Sequence, residues 1–148
     1  MNNVEDVIQV ISVGLIVAVF LLNTSRFAKA IDLCKECLFI LRHRAGIKDE
    51  KLSKSLYKRI YLLMWNTCNR ICDNEGSIKY AEKLLLIYRV SDERLKEYEL
   101  SIKLGEMYLH HSKYKQAKQL TEKALLISKE IGDRRGEATC YEIGRAHV

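Results

Sequence analysis

Proline is absent from all 148 residues of the chain, and glycine occurs only seven times. Proline breaks helices because it lacks a backbone donor and clashes with the preceding turn, so its absence permits long uninterrupted helices. Apolar residues make up 48% and charged residues 30% of the sequence, which excludes a disordered chain. The sequence therefore predicts an all-α chain, long enough to bury a sizeable core.

Secretory signals are also lacking. The first residues, MNNVED, are acidic, whereas a signal peptide opens with basic residues. The five cysteines are an odd number, which does not fit a framework of disulfides. Both observations favour a reducing compartment, where thiols pack as small apolar groups. We expect a cytoplasmic protein.

Motifs for catalysis and for metal or cofactor binding are missing. The chain has no Gly-rich phosphate loop, no HExxH and no GxSxG. Two cysteine pairs, CKEC at 34–37 and CNRIC at 68–72, lie inside predicted helices at packing positions, and a structural zinc site needs four converging ligands. His110 and His111 are adjacent and diverge on a helix. We expect no catalytic residue, no metal site, no cofactor and no enzymatic activity.

A long apolar stretch stands near the start of the chain. No charged residue occurs from Val10 to Leu22, but the stretch 7–22 has 16 residues, and a membrane span needs about 20. A buried helix is favoured, with a membrane or signal-anchor segment as the alternative. Such a helix should be covered on more than one side, by upstream residues or by self-association. Candidate N-caps for the next helix follow directly: Asn23, Thr24 and Ser25.

Three segments share one pattern of apolar residues. Each has an apolar residue three positions before a central alanine and a leucine three positions after it. The central residues are Ala30, Ala81 and Ala117, and each segment follows another amphipathic helix. Small residues at this spacing let two helices approach closely. The repeating unit is therefore a helix pair, used about three times, and stacked pairs bury a continuous core.

The third helix pair resembles the tetratricopeptide repeat. It carries Leu104-Gly105, Tyr108, Ala117 and Ala124 at the family's spacing. Trp65 falls sixteen residues before Ala81, where that family has its tryptophan, and the ending EKALLISKEIGDRRGEA resembles the longer repeats of Pins-type polarity scaffolds, kinesin light chains and tetratricopeptide repeat protein 28-like proteins. The repeat-signature positions are Ala30, Trp65, Ala81, Leu104, Gly105, Tyr108, Ala117 and Ala124.

The second pair departs from the family pattern. Cys68-Asn69 replaces Leu-Gly, and Tyr88 replaces the second alanine. The spacing from Ala30 to Ala81 is 51 residues, which exceeds the usual period of about 34. We expect the extra residues to extend a helix that begins near Asp49, or to form a longer loop before it.

The resemblance implies a right-handed superhelical solenoid of stacked antiparallel helix pairs over residues 1–142. The pairs span approximately 4–42, 50–90 and 92–131, and a truncated fourth begins at 134–142. It also implies that a peptide or helix of another protein binds in the concave groove. The groove positions that carry over are Asn66, Arg70, Ile102, Glu106, Leu109 and His110. The first-pair equivalents, Leu15 and Val19, are aliphatic and are expected to be covered.

The last six residues, IGRAHV, break the pattern. Gly132 suits a helix C-cap and Asp133 an N-cap, so a fourth first-helix should begin there. Its Leu-Gly belongs at 144–145, but Ile143-Gly144 comes one position early. The ending resembles a translated sequencing adapter. We predict that 143–148 are foreign and that the natural protein continues into further repeats, with a real, frayed C-terminus as the alternative. The exposed repeat end should then fray or self-associate.

Charge leaves two further functions open. The net charge is +6, but lysine and glutamate are interleaved, which is typical of solvated helix faces. A protein-binding scaffold is favoured, and nucleic acid is not the expected partner. One alternative is membrane anchoring through residues 7–22. The other is binding of acidic polymers, including RNA, whose affinity would fall with added salt.

Overall fold

The computed structural model describes residues 3–44 and 46–145, and every regular element within them is an α-helix. The predicted all-α class is therefore confirmed. In chain order the helices are α1 Val4–Asn23, α2 Phe27–His43, α3 Glu50–Arg70, α4 Asn74–Val90, α5 Arg94–His110, α6 Tyr114–Ile131 and α7 Arg134–Arg145. The chain divides into two compact units, Met1–Tyr80 and Ala81–Val148, with the boundary inside α4.

Five of the six connections end the preceding helix in the same way. One residue adopts a left-handed conformation, and the next N–H donates to the carbonyl five residues earlier at 2.8–2.9 Å. This is the Schellman arrangement, which usually employs glycine because other residues pay a steric cost at positive φ. Only the last of the five positions is glycine. The positions and their φ values are Ser25 61°, Cys72 59°, Asp92 55°, Ser112 59° and Gly132 74°.

The predicted N-caps of α2 are wrong. The N-cap position is Arg26, which makes no side-chain capping hydrogen bond. Thr24 instead closes α1, because its hydroxyl donates to the carbonyl of Phe20 at 3.0 Å. Ser25 is the left-handed residue of the turn. The three polar residues therefore end the first helix and do not start the second.

In the unit Met1–Tyr80, α1 and α2 pack closely. A Cβ built on Gly14 would lie 2.7 Å from the Cys37 sulfur, so glycine permits this approach. Ile11, Leu15 and Ala18 are buried on the same side of α1. Within the described residues α1 is covered on this side only. Val19, expected to be covered, is 41% exposed. By length and composition α1 could also cross a membrane.

The extra length between the first two repeats lies in both predicted places. Helix α3 has 21 residues and begins after Asp49, whose carboxylate accepts from the N–H groups of Lys51 and Leu52. An irregular connection precedes it. Ile71, the C-cap residue of α3, is 41% exposed.

In the unit Ala81–Val148, α5, α6 and α7 pack together. Tyr98 of α5, Ala124 and Ile127 of α6 and Cys140 of α7 form one buried cluster. The predicted caps hold: Gly132 ends α6 in the left-handed region, and Asp133 accepts the Gly136 N–H at 3.0 Å.

Part of the ending predicted to be foreign is structured. Ile143 is buried in α7, and the helix extends to Arg145. The remaining positions of the predicted tail, 146–148, lie outside the described residues. The foreign origin of the six residues stays a prediction.

Candidate functional site

The two predicted groove residues of α3 are exposed. Asn66 and Arg70 line a shallow depression with Leu22, Asn23 and Asn69. The Arg70 guanidinium lies 5.4 Å from the centre of the Phe27 ring, a cation–π contact that orients it. This part of α3 therefore offers an amide and a guanidinium, both hydrogen-bond donors, to the solvent.

The four predicted groove residues of α5 form a mixed surface. Glu106 and His110 are exposed, whereas Ile102 and Leu109 are half-buried. Ile102 packs against the cluster around Tyr98 and Ala124. With 3.6 residues per turn, positions 102, 106, 109 and 110 share one side of the helix. That side presents a carboxylate and an imidazole around a partly accessible apolar strip.

The opposite side of α5 lines a cavity that sequence reasoning missed. Its volume is about 270 Å³, and its walls come from α4 and α6. Leu104 and Tyr108, which the repeat signature treats only as packing residues, line it. The complete lining is Glu82, Leu85, Leu86, Arg89, Leu104, Tyr108, Gln116, Gln119, Leu120 and Lys123. One feature of the sequence could have indicated this cavity: Leu86 is an apolar residue on the outer side of α4, where the structure leaves it 61% exposed.

Tyr108 closes one side of this cavity through a short hydrogen bond. Its hydroxyl donates to Glu82 Oε1 at 2.6 Å. Burial, followed by this hydrogen bond, raises the pKa of Tyr108 above its ordinary value of 10.0. The phenol therefore stays protonated and donates at neutral pH.

The repeat-signature alanines act in packing. Ala30, Ala81, Ala117 and Ala124 are each 0–1% exposed. Gly105 shows the close approach that the signature provides, because an added Cβ would lie 3.1 Å from the Thr121 methyl group. Trp65 is half-buried. These positions hold helices together and leave the exposed sides of α3 and α5 for other contacts.

The cysteines follow the packing prediction with one exception. Cys34, Cys37, Cys68 and Cys140 are buried, but Cys72 is exposed in the turn after α3. The expectation that both cysteines of the second pair lie inside a helix is therefore wrong. Burial, with a smaller contribution from Cys37, raises the pKa of Cys34 from 9.0 to about 12. In the part of the chain that is described, no three His, Cys, Asp or Glu side chains converge on a metal site.

Ion pairs join α5 to its neighbours, and no pattern in the sequence predicted them. Glu97 is 6% exposed and accepts from Arg89 Nε of α4 at 3.2 Å. Arg94 lies near both Glu97 and Glu130 of α6. Because Arg89 and Arg94 both pair with the buried Glu97 carboxylate, we assign these ion pairs a structural role. Lysine and glutamate alternate along much of the sequence, so their spacing does not identify these particular partners.

Comparison with solved structures identifies the fold. The chain aligns with the C-terminal TPR-containing domain of a Plasmodium falciparum FK506-binding protein at a TM-score of 0.67 and 20% identity, covering 95% of this chain and 91% of that one. A second solved chain, the DHF79 filament, aligns at a TM-score of 0.32 and 16% identity, over 95% of this chain and 82% of that one, which is too low for a structural conclusion.

Sequence comparisons add nothing to the fold assignment. No protein-family model matches the chain. No curated protein sequence matches it either. The structural likeness nevertheless agrees with the repeat signature read from Leu104, Gly105, Tyr108 and the spaced alanines. The chain has the fold of a tetratricopeptide-repeat domain.

Proposed function

We propose that the chain is a scaffold that binds a peptide or helix of a partner protein through the exposed first-helix sides of its repeats, that of α3 in one unit and that of α5 in the other. One observation carries the proposal. Four of the first-helix positions that the repeat family uses for binding are exposed and two are half-buried, while the opposite sides of the same helices are buried. Rigid helices that leave one side open are suited to holding a bound segment.

The chemistry of the open sides suggests the kind of segment. On α5, Ile102 and Leu109 offer apolar contact, and Glu106 and His110 offer polar contact beside them. On α3, the guanidinium of Arg70 can pair with a carboxylate or a main-chain carbonyl. An amphipathic segment fits the side of α5, and a segment with an acidic residue fits the side of α3.

The test begins with a displayed library of random peptides, selected on the complete chain. The affinity of selected peptides is then measured by fluorescence anisotropy for the wild type and for Glu106→Ala/His110→Ala and Asn66→Ala/Arg70→Ala. The matched control, Lys118→Ala/Glu122→Ala, removes exposed charges from α6. We expect each selected peptide to bind at least one of the groove variants at least about tenfold more weakly, a loss of about 1.4 kcal/mol, and the control to bind normally. Peptides that bind all four proteins equally would refute the proposed surface.

The proposed setting is the cytoplasm. The five cysteines are free thiols, which a reducing compartment maintains. Rapid alkylation of denatured protein taken directly from cells tests this proposal. All five thiols should react without prior reduction, and disulfide-protected cysteines would contradict it. No catalytic role is assigned to this chain.

A further inference from the structure

The outward side of α1 is apolar without interruption. Every exposed residue from Val10 to Phe20 is valine, isoleucine or phenylalanine, with exposed fractions from 40% to 64%. The members of this outward apolar face are Val10, Val13, Ile16, Val17, Val19 and Phe20. An 18-residue window of α1 has a mean hydropathy of 2.2, yet only 22% of it is buried. The face therefore needs an apolar environment that the described residues do not supply.

The composition of the face favours lipid over a second helix. Val10, Val13, Val17 and Phe20 follow the spacing of a helix–helix seam, but such seams are flanked by charged side chains that stay in water. Here the flanking exposed positions, Ile16 and Val19, are apolar as well. The seam is also only ~15 Å long at 1.5 Å per residue, which is short for a stable dimer. A continuous apolar medium covers such a surface better than another helix.

The folded chain can place α1 on a bilayer but not across it. The other side of α1 packs on α2, where Cys37 Sγ lies 3.9 Å from the Ile11 carbonyl oxygen. Helix α2 exposes Lys29, Asp32 and Lys35 beside it. A spanning α1 would carry these charges into the hydrocarbon region at a high energetic cost. An orientation parallel to the surface leaves them in water.

A basic cluster in the same unit points to the sign of the lipid charge. It comprises Arg42, Arg44, Lys48, Lys51, Lys54, Lys58 and Arg59, with Asp49 and Glu50 among them, a net charge of +5. Because a tight turn joins α1 to α2 and Cys37 contacts Ile11, the two helices run antiparallel, so Arg42 and Arg44 at the C-terminal end of α2 lie at the same end of the pair as the start of α1. Arg42 also donates to the Tyr61 hydroxyl of α3 at 3.2 Å. Glu5 and Asp6 at that end reduce the net charge to +3. Anionic headgroups attract such a cluster.

We infer that the outward apolar face of α1 docks onto an anionic lipid bilayer, at the boundary between headgroups and acyl chains, with the basic cluster contacting the headgroups. This association is separate from the proposed peptide binding on α3 and α5. The inference differs from a membrane span formed by residues 7–22, because α1 lies at the surface of the bilayer while it stays packed on α2.

The test is flotation of the complete chain with phosphatidylcholine vesicles that contain or lack phosphatidylserine. We expect binding to the anionic vesicles, weakened at least about tenfold in Ile16→Gln/Phe20→Gln and in Lys51→Gln/Lys54→Gln/Arg59→Gln. Two control variants, Leu86→Gln/Leu126→Gln and Lys115→Gln/Lys118→Gln/Lys129→Gln, make equivalent changes at exposed positions of the other unit and should bind normally. Circular dichroism checks that all variants stay folded.

Several outcomes overturn the inference. Failure of the wild type to float with anionic vesicles is one, and equal binding by Ile16→Gln/Phe20→Gln is another. Equal binding to neutral vesicles removes the role of the basic cluster. A dimer in sedimentation equilibrium that Phe20→Gln converts to a monomer, without vesicle binding, assigns the face to a second copy of the chain. Peptide affinity measured on the same variants stays normal if the two surfaces are separate.

Discussion

Tyr108 of α5 and Glu82 of α4 are joined by a hydrogen bond of 2.6 Å, with the phenol donating to the carboxylate. The same tyrosine lines the cavity between α4 and α6. The repeat signature treats Tyr108 as a packing residue. In the structure it also makes a hydrogen bond, because its ring is buried while its hydroxyl reaches the exposed Glu82 carboxylate.

Removal of this hydroxyl should lower stability moderately. For Tyr108→Phe we expect a loss of about 0.5–1.5 kcal/mol in the free energy of unfolding, since the lost hydrogen bond has an exposed acceptor that water can resatisfy. Urea denaturation followed by circular dichroism measures it. Tyr141→Phe, at an exposed position of α7, is the control and should be neutral. Equal losses in the two variants would show that the Glu82 contact contributes nothing.

Two glycines of α7 should respond oppositely to alanine. A Cβ on Gly136 would overlap the Tyr98 hydroxyl oxygen, which donates to Asp133 at 2.9 Å. Gly136→Ala must shift the Tyr98 hydroxyl or α7, and we expect a loss of about 1–3 kcal/mol in the free energy of unfolding. Gly144 has no atom within 4 Å of an added Cβ. Gly144→Ala should therefore be neutral or gain up to about 1 kcal/mol from helix propensity.

Thermal and urea denaturation of the two glycine variants, measured side by side, test the packing of α7. If Gly136→Ala is as stable as the wild type, α7 does not pack on Tyr98 as described. A large loss in Gly144→Ala would likewise contradict the open space around that residue.

Stability should fall at alkaline pH through Cys34. Its pKa rises from 9.0 to about 12 on folding, mainly through burial. The unfolded thiol therefore loses its proton first, so the contribution is complete below pH 9 and is lost as pH rises toward 12. Cys34→Ala removes this dependence. We expect the stability advantage of the wild type to shrink by up to about 1.4 kcal/mol per pH unit within that window. An advantage that does not change with pH would contradict the burial of this thiol.

Thiol reactivity should separate Cys72 from the other cysteines. Cys72 is exposed, whereas Cys34, Cys37, Cys68 and Cys140 are buried. Burial raises the pKa of each of these four and removes the reactive thiolate. With a chromogenic disulfide reagent we expect one fast thiol per folded chain, absent in Cys72→Ser. In guanidinium chloride all thiols should react together. More than one fast thiol in the folded wild type would show that a second site opens.

The sequence by itself determined the helices and their packing sides. Alanines at 30, 81, 117 and 124 predicted buried contacts because only a small side chain lets two helix backbones come close. The same spacing identified the repeat fold. Gly132 and Asp133 predicted the boundary between α6 and α7, since glycine tolerates positive φ and aspartate accepts backbone N–H groups.

The groove positions came from the family resemblance, and periodicity did not identify them. Asn66, Arg70, Glu106 and His110 are exposed, whereas Ile102 and Leu109 are half-buried. For the apolar helix α1, the covered side could not be predicted from the sequence. An all-apolar pattern has no periodicity to distinguish a covered side from an open one, so Leu15 and Val19 received the same prediction and differ in the structure.

Only the tertiary structure decided the remaining features. Ser25, Cys72 and Ser112 take the left-handed turn position because the following helix must pack back on its neighbour, and no local preference of serine or cysteine predicts that. The cavity around Tyr108 and the ion pairs of Glu97 depend on side chains from three helices. Sequence periodicity describes one helix at a time, whereas these contacts arise from the distances and angles between helices.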